Sequence, residues 1–153
     1  MLRELPPFYV NNKKRLIKTL KYYIRDSGLP HHTLHIKEIS ELLSHPSIGA
    51  SREGFVIEQV VKLGLDVFPY FYRARAGAEC DLVLVKGNTP LVYIEAKVNE
   101  APGVTKSLLN TIGDLATKEN FMVTPSLEHP YQLKENVTVC DLPWLLKHLQ
   151  KYL

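Results

Sequence analysis

Apolar and polar positions alternate along residues 51–63 with the spacing of an amphipathic helix. Its apolar stripe is interrupted at Gln59 alone. Ser51 is predicted as the N-cap and Gly64 as the C-terminal stop. Glu58 lies at the edge of the stripe, so we expect its carboxylate to be drawn partly into the protein.

The pattern changes after this helix to the short apolar runs that are typical of β-strands. Residues 67–75 are rich in aromatic side chains and predict a first strand. Two further runs surround a turn at residues 86–90 and predict a hairpin. Counting outward from the turn pairs residues across the hairpin as follows: Val85 with Leu91, Val83 with Tyr93, and Asp81 with Glu95.

The remaining elements are predicted from the same periodicities and from turn residues. Helices are expected at residues 11–20, 36–43, 104–117 and 143–153, strands at 21–26, 121–124 and 137–140, and a turn at 27–30. The central order is helix, three strands, helix, strand. The sequence therefore predicts an α/β fold with a mixed sheet flanked by helices.

The hairpin pairing brings charged residues together. Cross-strand partners have Cβ atoms about 4.5–5.5 Å apart, so Asp81 and Glu95 would be neighbours, and Lys97 would share the face of Glu95. Two carboxylates beside apolar residues are destabilising unless a cation joins them. Oxygen ligands suit Mg²⁺ or Mn²⁺, and Glu58 could be a further ligand. The alternative is a set of strand-end charges with one salt bridge to Lys97.

Composition is that of a soluble globular domain, at 45% hydrophobic and 23% charged residues over 153 positions. No run approaches the roughly 20 apolar residues of a membrane span, so we expect no membrane association. The N-terminus has no apolar signal core, which predicts a cytoplasmic protein. Cys80 and Cys140 lack metal-binding spacing and are expected to be free thiols.

Charge is distributed unevenly along the chain. Residues 1–53 contain nine lysines and arginines against five acidic residues, whereas residues 54–153 contain ten against eleven. A basic cluster at residues 13–21 could contact phosphate. The simpler interpretation is a solvated helix face.

The spacing of Asp81 and the sequence Glu95-Ala96-Lys97, preceded by Glu58 on a helix, resembles the PD-(D/E)XK nuclease superfamily. The resemblance covers about residues 48–125 and includes the αβββαβ order of the restriction-endonuclease-like core. Cys80 stands where the motif usually has proline. The resemblance implies a Mg²⁺-dependent or Mn²⁺-dependent nuclease in which Glu58, Asp81 and Glu95 hold the metal and Lys97 assists the water.

A longer resemblance spans nearly the whole chain. The phrases "HPSIGASREGFVIEQV", "FYRARAGAECDLVL" and "IEAKVNEAPGVTKSL" are similar to the C-terminal domain of a group of prokaryotic AAA-type ATPases. The chain contains no G-x-x-x-x-G-K-[ST] motif, so the ATPase module is absent from it. The resemblance implies an ATPase partner and allows a homodimer.

Together these patterns predict a single domain over residues 1–153. Residues 1–47 would form an N-terminal extension, 48–125 the nuclease-like core, and 126–153 a C-terminal strand and helix. The expected function is cleavage of DNA phosphodiesters. The alternative is a catalytically inactive module that binds nucleic acid or protein and partners or regulates an AAA-type ATPase.

Several polar side chains outside the motif are candidate contacts for DNA phosphates. They are Arg73, Arg75, Lys106 and Ser107. For the two arginines, a basic surface strand is an equally good interpretation. Lys106 and Ser107 lie near the start of a predicted helix, where backbone amides favour anions. The string His31, His32 and His35 has no partner ligands in the sequence, so surface histidines are expected rather than zinc.

Overall fold

The computed structural model describes residues 1–10, 19–74 and 77–153. The strands are β1 Leu2–Leu5, β2 Lys21–Ile24, β3 Phe68–Arg73, β4 Glu79–Lys86, β5 Thr89–Ala96, β6 Glu119–Thr124, β7 Tyr131–Lys134 and β8 Val137–Asp141. The helices are α1 Gly28–Thr33, α2 Ile39–Ser44, α3 Ile48–Lys62, α4 Lys106–Leu115 and α5 Leu142–Leu149, followed by a 3₁₀ turn at Gln150–Tyr152.

A six-stranded mixed sheet organises the molecule, with strand order β3-β4-β5-β6-β8-β7. The hairpin strands β3, β4 and β5 are antiparallel, whereas β5, β6 and β8 run parallel. The connection from β5 to β6 runs through α4, as parallel neighbours require a crossover. The predicted α/β fold with a mixed sheet flanked by helices is confirmed.

Apolar side chains cover both faces of the sheet. On one face α3 and α5 pack through residues such as Ile57, Val60 and Leu145. On the other face α4 packs through Leu108 and Leu115. Because both faces are buried, β4 and β6 read as nearly continuous apolar runs in the sequence.

The N-terminal hairpin, formed by β1 and β2, lies outside the main sheet but is attached to it. The two strands pair antiparallel. After β1 the chain runs beside β3, where the amide of Phe71 donates to the carbonyl of Pro6 and the amide of Phe8 donates to the carbonyl of Phe71. These bonds cover the outer edge of β3, which would otherwise present unpaired backbone groups.

Several local predictions differ from the structure. Helix α3 begins at Ile48 rather than after Ser51, while Gly64 has the positive φ of +68° expected of a C-terminal stop. The predicted turn at 27–30 is instead the start of α1. Strands β1 and β7 were not predicted. Of the predicted basic helix, residues 11–18 lie outside the described part of the chain.

The pairing of β4 is irregular with both neighbouring strands, and the irregularity with β5 changes the predicted hairpin register near the turn. Val83 pairs with Tyr93 as predicted, but Val85 pairs with Pro90, because Leu91 is an extra residue on β5. On the other side of β4, Tyr70 pairs with Val83 and Tyr72 with Cys80. Asp81 and Leu82 therefore both lie opposite Phe71. This arrangement of two residues against one is a β-bulge.

Among the described residues, no helix has both the length and the apolar character needed to span a bilayer. Both cysteines are free, as expected, and both are buried. Burial raises the pKa of each thiol, and the pKa of Cys140 rises to about 12.

Candidate functional site

Asp81 lies at the bulge of β4, next to the end of β5. Its Oδ2 atom accepts a hydrogen bond of 2.9 Å from the amide of Ala96. Bulges commonly redirect a side chain at the end of a ladder. The carboxylate of Asp81 is thereby held against the end of the neighbouring strand.

The pKa of Asp81 is raised to about 7, first because burial disfavours the charged carboxylate. The carboxylates of Glu53 and Glu95 raise this pKa further, while the amide of Ala96 and the ammonium of Lys21 lower it. Asp81 is therefore surrounded by more negative charge than its neighbours neutralise.

Glu95 and Lys97 occupy the end of β5, as the sequence predicts. The ammonium of Lys97 forms an ion pair with Oε1 of Glu95, and the hydroxyl of Tyr93 donates to Oε2. Side chains two residues apart share a face of a strand, which brings these three groups together. Burial and the nearby Glu95 raise the pKa of Tyr93, so the phenol remains a donor.

Glu53 is the helix carboxylate that faces Asp81. Its Oε1 atom accepts hydrogen bonds from the hydroxyl of Tyr23, at 2.5 Å, and from the ammonium of Lys21, at 2.9 Å. Glu53 is also the strongest of the charges that raise the pKa of Asp81. The sequence prediction did not include Glu53.

Glu58, which was predicted as the helix ligand, is engaged elsewhere. Its carboxylate accepts from Arg3 at 2.9 and 3.1 Å and from Arg25 at 2.9 Å. The residue is buried, at 2% exposure. Burial alone would raise the pKa of Glu58, but the two arginines outweigh it and hold the pKa below its usual value. Glu58 therefore anchors the N-terminal hairpin to α3. Its expected role as a metal ligand stays a prediction.

Lys21 links the helix to β4. Its ammonium bonds Oε1 of Glu53 at 2.9 Å and Oε1 of Glu79 at 3.2 Å, and it lies 5.2 Å from the centre of the Phe71 ring. Burial lowers the pKa of Lys21, but the acidic neighbours, led by Glu53, raise it above its usual value overall. We refer to Glu53, Glu79, Asp81 and Glu95 as the acidic cluster.

The oxygens of the acidic cluster are the ligand type that Mg²⁺ and Mn²⁺ prefer, which fits the predicted metal. In the part of the chain that the structure describes, however, no three acidic, histidine or cysteine side chains are gathered closely enough to hold a metal ion. The ammonium groups of Lys21 and Lys97 hold these carboxylates instead. The oxygen donors are therefore of the chemical type that the predicted metal prefers, but their arrangement among the described residues does not form a metal site.

The predicted phosphate contacts occupy different surroundings. Arg73 pairs with Glu79 at 3.1 Å and is 45% exposed at its side chain, whereas Lys106 is exposed at the start of α4. The hydroxyl of Ser107 donates to the carbonyl of Gly77 at 2.8 Å, so it ties α4 to the chain just before β4. Arg75 lies outside the described residues. His31 contacts Ser51 at 2.6 Å, and the described histidines form no metal-binding group.

A signal for Glu53 exists in the sequence. Residues Val56, Ile57 and Val60 are buried on α3, and Glu53 precedes them at helical spacings of three, four and seven. It therefore extends the buried stripe toward the helix N-terminus. Glu58 also lies at the edge of the apolar stripe, and this position is what favours it in the sequence. Lys21 had no comparable signal, because its contacts come from distant segments.

The fold and the site together define the class of this protein. It is a mixed-sheet α/β domain with a cluster of carboxylates and lysines at the strand ends. Residues 48–145 match the model of the family described as "Domain of unknown function (DUF4143)". The chain belongs to this family. The matched range contains α3, the sheet, α4 and the start of α5, and so most of the acidic cluster's scaffold.

Two mycobacterial proteins are similar over most of this chain. They are "Uncharacterized protein Mb2031c" of Mycobacterium bovis and "Uncharacterized protein Rv2008c" of Mycobacterium tuberculosis. Each is 34% identical over 146 residues, which is 95% of this chain and 33% of the relative. The chain thus spans about a third of the length of these relatives. Among solved structures no match is found.

Proposed function

We propose that this chain is a nuclease-like domain of the PD-(D/E)XK type that acts on DNA phosphodiesters with Mg²⁺ or Mn²⁺. The observation that carries the proposal is the meeting of Asp81, Glu95 and Lys97 with a helix carboxylate, Glu53. Carboxylates supplied by a helix and two adjacent strand ends, with one lysine, form the set that this chemistry needs.

Each residue has a proposed part in the site. Asp81, Glu95 and Glu53 would hold the cation, with Glu53 replacing Glu58 in that role. A divalent cation held by these carboxylates would supply a water of lowered pKa and positive charge for the phosphate. Lys97 would stabilise negative charge that develops on the phosphate. Tyr93 would fix the orientation of Glu95 through its hydroxyl.

DNA would reach the site past exposed basic side chains. Arg73 and Lys106 are the described candidates for phosphate contacts, and Arg73 would exchange its partner Glu79 for phosphate. Contacts of this kind position a duplex without reading its sequence. They also make binding weaken as salt rises, through counterion release.

Cleavage of supercoiled and branched DNA tests the proposal. Wild type, Asp81→Asn, Glu53→Gln and Glu58→Gln are compared with Mg²⁺, Mn²⁺ or EDTA at equal folded concentration. We expect metal-dependent cutting that the Asp81 and Glu53 variants lose and the Glu58 variant retains. No cutting by folded wild type with either metal would count against a nuclease.

The second candidate is a non-catalytic module that binds nucleic acid or protein and partners an AAA-type ATPase. It is favoured by the ion pairs that Lys21 and Lys97 form with carboxylates of the acidic cluster, and by an exposed apolar surface. Ile39, Leu43, Phe55 and Val98 line a pocket of about 340 Å³ there and are 71%, 58%, 40% and 37% exposed. Salt-sensitive DNA binding without cleavage would favour this candidate. Binding of a P-loop ATPase in a pull-down, reduced by Ile39→Asp, would also favour it.

A further inference from the structure

One nitrogen of the Arg52 side chain is buried without a hydrogen-bond partner. Nε of its guanidinium donates to the carbonyl of Lys97 at 2.7 Å, but Nη2 has no acceptor. Among the side chains that the structure describes, it is the only buried nitrogen or oxygen in this state. Buried polar groups in folded proteins nearly always have a partner, so Nη2 marks a place where the chain itself does not supply the acceptor.

The charge of Arg52 is not neutralised by any carboxylate of the described chain. Glu53, which follows it on α3, is bonded to Lys21 and Tyr23 instead. Burial lowers the pKa of Arg52, and no described acidic neighbour opposes this effect. The guanidinium nevertheless keeps its charge, because arginine is not deprotonated in proteins. Arg52 is therefore a cation that is partly withdrawn from water and lacks a counter-ion among the described residues.

Arg52 lies in the wall of the apolar pocket of about 340 Å³ described above. The other walls include Leu42 and Leu43 of α2, Phe55 of α3, and Val98. Arg52 as a whole is partly exposed, so its side chain can be approached through the pocket. Nη2 is closed off from solvent, and a ligand reaches it when a covering side chain rotates, a motion that takes picoseconds to nanoseconds for exposed residues.

The pocket lies beside the carboxyl ends of two neighbouring parallel strands. Val98 is two residues beyond the end of β5, and Pro125 directly follows β6. In open α/β sheets, ligands commonly bind in the crevice outside the carboxyl ends of the strands. The volume also falls in the range of small-molecule sites, roughly 300–1,000 Å³. Both its place and its size therefore suit a small ligand.

The groups that line the pocket define the chemistry of that ligand. The two oxygens of a carboxylate match the parallel N–H groups of a guanidinium. A phosphate carries more charge than one guanidinium balances, and the nearby polar side chains of His31 and Ser51 are bonded to each other at 2.6 Å. The apolar walls require a hydrocarbon or aromatic body behind the carboxylate.

We propose that this pocket binds a small monocarboxylate with an apolar body, and that the carboxylate pairs with the guanidinium of Arg52. A medium-chain acyl acid is the simplest member of this class. The inference is independent of the proposed nuclease chemistry, because no residue of the acidic cluster lines the pocket. The ligand would contact Val98, next to the Lys97 carbonyl that accepts from Arg52. Its binding would therefore stabilise the connection between α3 and the end of β5.

Calorimetric titration with octanoate tests the pairing, and octanol is the uncharged probe of the same chain length. We expect wild type to bind octanoate at least about tenfold more tightly than octanol, because only the acid forms a charge-assisted hydrogen bond. Arg52→Met should lose this preference. Lys62→Met is the matched control, because it removes another cation of α3 that does not line the pocket. It should bind both probes like wild type.

A variant of the pocket wall keeps the test independent of how well Arg52→Met folds. Leu43 is 58% exposed, so Leu43→Gln should fold, and it should weaken octanoate and octanol binding by a similar factor. Thermal melting gives a second readout. Octanoate should raise the melting temperature of wild type and of Lys62→Met more than that of Leu43→Gln, since a ligand stabilises the folded state that it binds.

Three results would overturn the proposal. Wild type that binds octanoate no more tightly than octanol would show that Arg52 pairs with no carboxylate, and would leave an apolar surface for a protein partner. Wild type that does not bind octanoate up to millimolar concentration would exclude the site. A preference for octanoate that survives in folded Arg52→Met, or binding that Leu43→Gln leaves unchanged, would place the ligand elsewhere on the molecule.

Discussion

The guanidinium of Arg52 donates a hydrogen bond of 2.7 Å from Nε to the main-chain carbonyl of Lys97. This bond joins α3 to the chain just beyond β5, where the amide of Lys97 also donates to the carbonyl of Val123. Glu53 is the next residue on α3 and so lies near the same end of β5, while Glu58 lies more than a turn further along the helix. The bond fastens this part of α3 to the chain beyond β5, and Glu58 lies closer to the arginines of the N-terminal hairpin.

Asp81→Asn should alter the pH dependence of stability. The folded pKa of Asp81, about 7, lies above its ordinary value of 3.8. A carboxyl with a raised pKa contributes stability at low pH that is lost as the pH rises through about 7. We therefore expect the variant to gain a few degrees in melting temperature over wild type at pH 8, and less at pH 5. Thermal melts in EDTA measure this, and an equal difference at both pH values would contradict it.

Glu58→Gln should destabilise the fold without affecting metal dependence. The variant removes the charge that pairs with Arg3 and Arg25, and hydrogen bonds to charged groups contribute about 1.5–3 kcal/mol. We expect a loss of about 2 kcal/mol in urea unfolding, with the loss reduced at high salt. Glu53→Gln is the matched variant at the other carboxylate of α3. Loss of Mn²⁺ binding in Glu58→Gln but not in Glu53→Gln would reverse our assignment.

Glu119→Gln should make the protein less stable at neutral pH but not in strong acid. Burial alone would raise the pKa of Glu119, but hydrogen bonds from Lys151, Tyr152 and His148 lower it to about 2. A depressed pKa contributes stability above the ordinary value of 4.5 that is lost as the pH falls toward 2. The difference in unfolding free energy between variant and wild type should shrink over that interval. Urea titrations between pH 7 and pH 3 measure this difference. A difference that stays constant over the interval would mean that the ion pairs of Glu119 contribute nothing.

Both thiols should resist modification in the native protein. Cys80 and Cys140 are each 0% exposed. Burial raises their pKa values, which depletes the reactive thiolate. A disulfide exchange reagent should label neither cysteine rapidly in buffer and both in urea. The variants Cys80→Ser and Cys140→Ser would assign any fast phase. Rapid labelling of Cys80 in the native protein would show that β4 opens near Asp81, and rapid labelling of Cys140 would show the same for β8.

The positions of Asp81, Glu95 and Lys97 on the β4–β5 hairpin were predictable because they depend on short-range periodicity. Val83 faces Tyr93 as the count from the turn requires, and alternation alone places Glu95 beside Lys97. The pairing of Val85 with Leu91 was wrong, because a bulge at Leu91 shifts the register near the turn. Bulges depend on how neighbouring strands pack, and a single strand's pattern does not reveal them.

The sequence by itself determined the α/β class, the order of elements through the core, and the position of Asp81, Glu95 and Lys97 at strand ends. These follow from local spacing, which repeats every two residues in strands and every 3.6 in helices. Only the tertiary structure decided that Glu53 joins the acidic cluster, that Glu58 binds Arg3 and Arg25, and that Lys21 reaches Glu53 across 32 residues of chain. Such choices depend on which charges meet when distant segments pack, because a buried carboxylate takes whichever cation the fold brings within reach.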